Sequence, residues 1–147
     1  MHVVSDRHHA HMVGMIDRIA DTPDAAVIAR LARKAVRRLP RMFRDYLGDV
    51  VIRVEEFADS ETLRAVGLDD PWDLTGLYQG HPLSEQSIWA SGDLPPIISL
   101  FRGPLLDEWI RTGVALEDLV THDTVHEVGH HFGLSDDQME AIENDRF

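Results

Sequence analysis

Apolar residues recur at helical spacing through Ala26, Ile28, Leu31, Ala35 and Leu39, and the pattern stops at Pro40. Asp21-Thr22-Pro23 ahead of it supplies an N-cap candidate with proline near the first helical position, so the pattern predicts a helix from about residue 21 to 39. Arg41 to Leu47 reads as a short helical turn ended by Gly48. Val50, Val51, Ile52 and Val54, bounded by Gly48-Asp49 and Glu55-Glu56, have the β-branched character of a strand. Ser60 to Val66 reads as a short helix with Ser60 as its cap and Gly67 as its stop.

From Asp69 to Pro96 the chain carries four of its seven prolines, which predicts loops with short strands around Leu74–Gln79 and Ile88–Ala90. Pro95-Pro96 then launches Ile97 to Phe101, a near-continuous apolar run suited to the centre of a sheet, closed by Gly103-Pro104. A helix is expected over Leu105–Arg111 and a longer one from about Ala115 to Phe132, with Leu119, Val125, Val128 and Phe132 as its apolar stripe and Gly133 as its stop. A last helix covers Asp136–Glu143. This order predicts one α+β domain over residues 21–147, a small twisted mixed sheet packed on helices, behind a partly flexible segment 1–20 that holds His2, His8, His9 and His11.

Length and composition permit a self-sufficient core: 147 residues, 44% of them apolar and 27% charged. With 14 basic against 26 acidic side chains the net charge is -12, which argues against a nucleic-acid partner. The basic residues do cluster, at Arg30, Arg33, Lys34, Arg37, Arg38, Arg41 and Arg44, but at helical spacing they form the solvated face opposite the apolar stripe. Trp72, Trp89 and Trp109 are scattered, and read as packing rather than a base-stacking platform. No apolar run approaches the roughly 18 residues of a membrane span, so no membrane partner is expected and the cytoplasm is the expected location. Cysteine is absent, which leaves any metal site to His, Asp and Glu.

The long helix contains His126-Glu127-Val128-Gly129-His130. Residues four apart on a helix lie about 40° from the same face, so both imidazoles can reach one tetrahedral zinc ion, while Glu127 leans over a water on that ion and takes its proton as general base. The chain continues to Gly133 and Asp136, completing His-Glu-x-x-His-x-x-Gly-x-x-Asp. Chance would produce the shorter pattern about 0.03 times in a chain of this composition and the longer one about 0.0003 times. Glycine with easy access to positive φ lets the chain leave the helix and swing back, returning Asp136 as a third ligand. Three protein ligands and an open fourth position describe a catalytic zinc, and the chemistry expected is metal-assisted hydrolysis of an amide.

The extended motif resembles that of zincin metallopeptidases with Asp in place of the third His of metzincins. From about Ala25 to Glu143 the chain is similar to the minimal zincin-like metallopeptidases of bacteria, through Leu39-Pro40, Val50–Glu56, Leu74–Leu83, Ile97–Pro104 and Val125–Asp136. That resemblance implies a zincin-like fold with the active-site helix beneath the sheet, a Zn2+ cofactor, ligands His126, His130 and Asp136, Glu127 as base, and a peptide or protein substrate. Only eleven residues follow Asp136, which predicts rudimentary specificity pockets and no methionine turn.

Neighbouring residues read less specifically. His122 stands one turn before His126, about 6 Å along the axis, and reads as a satisfied or exposed helix histidine rather than a ligand. His131 projects about 100° from His130 and reads as a rim residue; Tyr78, His81 and His131 are the candidates for stabilising an oxyanion or touching substrate. If Gly76–Leu83 is a sheet edge, its free backbone groups suit an extended peptide. Met139 reads as core, spaced to Ile142. The competing reading of the whole is a zinc-binding interaction or regulatory module without catalysis, and Glu127 discriminates the two because a pure binding site needs no base.

Overall fold

A computed structural model describes residues 23–80 and 95–144. The histidine-bearing N-terminus, the expected strand at 88–90, His81 and Trp89 lie outside the described residues. The chain order is α1 (Ala25–Arg38), α2 (Arg41–Leu47), β1 (Val51–Glu55), α3 (Ser60–Ala65), a single 3-10 turn at Pro71–Asp73, β2 (Gly76–Gln79), β3 (Ile97–Phe101), α4 (Arg102–Thr112), α5 (Leu116–His131) and α6 (Asp136–Glu143).

The α1 cap is Asp24, whose side chain accepts the Val27 N–H at 3.0 Å, so the helix starts later than Asp21-Thr22-Pro23 suggested. Asp59 rather than Ser60 caps α3 by the same bond to Thr62. Gly103-Pro104 does not separate β3 from the next helix: α4 begins at Arg102, with both residues in its first turn, where proline's missing N–H costs nothing. A side chain at 103 would displace the Phe57 ring, since a Cβ there would lie 2.5 Å from it and 3.0 Å from the Glu56 carbonyl.

The sheet is mixed, in the order β1-β3-β2, with β3 central as its apolar run predicted. β1 runs parallel to β3 and β2 antiparallel to it. One face carries Ile52, Val54, Tyr78, Ile98 and Leu100, and this face meets Ile28 and Ala32 of α1 and Leu119, Val120, Val125 and Val128 of α5 in the main core. The other face turns Phe101 into a smaller cluster with Ala58, Leu63 and Leu74. β3 is therefore covered on both sides, and it accounts for the near-continuous hydrophobicity of that segment.

Among the described residues β2 is an edge strand. Phe101 N–H donates to the Thr75 carbonyl at 2.9 Å. In an antiparallel ladder the bonded pairs alternate, so Leu77 also pairs inward to Ser99, while Gly76 and Tyr78 turn their N–H and C=O groups away from β3. No helix among the described residues is long and apolar enough to cross a membrane. The basic face of α1 is solvated as expected, with Lys34 paired to Glu117 at 2.6 Å, whereas Trp72 is half exposed and rests edge-on against Phe57 rather than in the core.

Candidate active site

α5 carries the motif and is wedged between β2 on one flank and α6 on the other. Its strand-facing row is Asp123, Glu127 and His131, four residues apart and hence on one face. Asp123 bonds the Thr75 side chain, and Glu127 accepts the backbone N–H of Tyr78. The His131 ring meets Tyr78 edge-on at 4.9 Å between centroids, and its Nε2 lies 3.4 Å from the Tyr46 hydroxyl.

Electrostatics on this flank favour protonated acids. Burial raises the Glu127 pKa above the ordinary carboxylate value, and His130 and the Tyr78 N–H oppose that rise without cancelling it. The Asp123 carboxyl is pushed up to about 6, chiefly by burial, against the Thr75 bond. Although Asp123 as a residue is only half-buried, its Oδ2 is closed off from solvent and has no hydrogen-bond partner among the described residues. The Tyr78 hydroxyl is likewise buried without one, and burial pushes its pKa up to about 12.

The opposite flank carries the imidazoles. His126 and His130 stand edge-to-face with ring centroids 6.0 Å apart. The donors, imidazole nitrogen and carboxylate oxygen, suit zinc.

After His131 the chain turns back on itself. Gly133 adopts φ 70°, Gly133 N–H donates to the His130 carbonyl at 3.1 Å, and Leu134 N–H reaches back to the Gly129 carbonyl at 2.9 Å. Ser135 then caps α6 in a reciprocal box with Gln138. Asp136, the first residue of α6, is exposed. Met139 is fully buried, as its spacing predicted, and packs into the notch left by Gly129, where a Cβ would come within 2.5 Å of the Met139 sulfur.

One turn further on, α6 delivers Glu143 to the imidazole row. Glu143 Oε1 lies 2.7 Å from His122 Nδ1, Glu143 Oε2 lies 3.5 Å from His126 Nε2, and the His122 and His126 rings stack at 3.9 Å. Among the described residues, the His, Asp and Glu side chains gathered closely enough to hold one ion are His122, His126 and Glu143, with ligand atoms all within 4.8 Å of one another. His122 therefore stands beside the Glu143 carboxylate, which is also the carboxylate next to His126, while Asp136 is exposed.

Asp123 announces itself only by being four residues before Glu127. Glu143 and Tyr46 carry no sequence signal, because each reaches α5 from another helix.

The sequence model of one protein family, described as zincin-like metallopeptidase, matches residues 47–146, about two thirds of the chain. The match takes in every described element from β1 onward and leaves α1, with its basic face, outside. No curated protein matches the sequence significantly.

Proposed function

The chain belongs to the zincin-like metallopeptidase family, and on that premise we propose that it is a zinc-dependent peptidase in which His126, His130 and Asp136 hold the metal and Glu127 is the general base. When bound, zinc supplies a Lewis acid that polarises the scissile carbonyl and acidifies water. Glu127 takes the proton from the attacking water and passes it to the leaving amine, a transfer suited to a carboxyl whose pKa burial has raised. The N–H and C=O groups of Gly76 and Tyr78 that face away from β3 hold the substrate as a strand added beside β2. Tyr78 and His131 stand on the Glu127 flank, where a donor to the developing oxyanion belongs.

The observation that carries this reading is the attachment of Glu127 to the sheet edge. A base that touches the strand along which a peptide would lie is close to the bond to be cut. The test is turnover of a peptide library by zinc-loaded protein and its Glu127→Gln variant. Cleavage by the wild type should fall about 10²- to 10⁴-fold in the variant while zinc content stays constant. Equal cleavage by both proteins would overturn the assignment of the base.

A further inference from the structure

We propose that His122, His126 and Glu143 form a second site for a divalent transition metal ion, sharing His126 with the motif pair so that the two sites cannot be filled together. Two imidazoles and a carboxylate are a complete protein ligand set for a zinc-like ion, with room for a water. They come from the two helices joined by the Gly133 turn, and the contact of Met139 with Gly129 fixes how those helices lie.

Glu143 Oε1 and Oε2 point to different imidazoles, at 2.7 and 3.5 Å, so the carboxylate already spans both donors. The rings are stacked rather than turned apart, which brings two basic nitrogens to the same side of the carboxylate.

The cluster is reachable. The His122 side chain is 55% exposed, and Glu143 also lines an open groove of about 320 Å³ with Arg38, Asp118, Thr121, Glu140 and Asn144. Asp118 and Glu140 add negative charge along that approach. Arg38 donates to the Glu143 main-chain carbonyl at 2.8 Å, which anchors the end of α6 without occupying the carboxylate.

The inference stands apart from catalysis, so its test is metal binding alone. Zinc chloride is titrated calorimetrically into metal-stripped full-length protein carrying His130→Ala and Asp136→Ala together, which removes the motif ligands other than His126. One equivalent of zinc should still bind, and adding His122→Ala or Glu143→Gln should weaken it at least 10-fold. Wild-type protein should take one ion, not two, because His126 serves both sets. No binding to the double variant, or binding unaffected by the added substitutions, would overturn the proposal. Circular dichroism melts of each variant separate ligand loss from unfolding. Cobalt substitution supplies a second readout, since loss of a ligand changes the visible spectrum even where affinity changes little. Loss of peptide turnover in Glu127→Gln leaves these titrations untouched, so the two proposals fail separately.

Discussion

The carboxylate of Glu127 accepts the backbone N–H of Tyr78, which ties the proposed base on α5 to the outer strand of the described sheet. A substrate strand added at that edge would compete for the same N–H and release Glu127 towards the scissile bond. In the metal-free protein burial raises the Glu127 pKa above its ordinary value of 4.5, so carbon-13 NMR of the metal-stripped protein should show this carboxyl titrating above pH 4.5. A Glu127 carboxyl that titrates at or below that pH would show that burial does not set its pKa.

Asp123 predicts a pH-dependent stability. Its pKa rises from 3.8 in the unfolded chain to about 6 in the fold, so the folded state binds the extra proton between those values. The contribution is therefore fully present below pH 3.8 and is lost as pH rises through about 6, a change on the order of 2–3 kcal/mol. Asp123→Asn removes the titration and keeps an acceptor for Thr75. Urea unfolding at pH 4 and pH 8 should show the variant gaining on the wild type by about that amount at the higher pH; a constant difference would refute the burial argument.

Tyr78→Phe deletes a buried hydroxyl that has no partner among the described residues. Its stability should be unchanged or higher by about 1 kcal/mol, because an unmade hydrogen bond is costly to bury. If the hydroxyl serves the oxyanion, kcat falls in the same variant without a fall in melting temperature. A loss of more than about 1 kcal/mol on chemical denaturation would show that the hydroxyl is paired.

Leu100→Ala opens a hole in the strand that both neighbours share. Leu100 is fully buried on the main-core face of β3, next to Ile98 and against Gly76 of β2. Unfolding free energy should fall by about 2–5 kcal/mol, with the midpoint shifting and the slope of the denaturation curve unchanged. The capping box gives a smaller expected loss: Ser135→Ala should cost about 1 kcal/mol, through fraying of α6.

Much of this fold is written locally. The spacing of Ile28, Leu31 and Ala35, the β-branched run before Glu55, and the glycines at 48 and 133 each announce an element from within it, and α6 has the bounds its residues suggest. The misplacements occur where a local signal had two readings. Asp21 and Asp24 are both adequate caps, and Gly103-Pro104 suits a strand stop as well as the first helical turn that it forms. In the site, helical spacing brings out the His126, Glu127 and His130 motif. What spacing cannot give is the partner from another element: the Tyr78 N–H at Glu127, Thr75 at Asp123, or Glu143 across the interhelical gap at His122. Those contacts depend on how α5 packs, which no single segment encodes.

The two inner positions of a His-Glu-x-x-His pattern are conventionally written as free. Here Gly129 is not, because the sulfur of Met139 fills the space that any side chain would need. A library randomising both positions and selected for folded protein should return small apolar residues at 128 and glycine almost alone at 129, unless position 139 is shortened in the same clone.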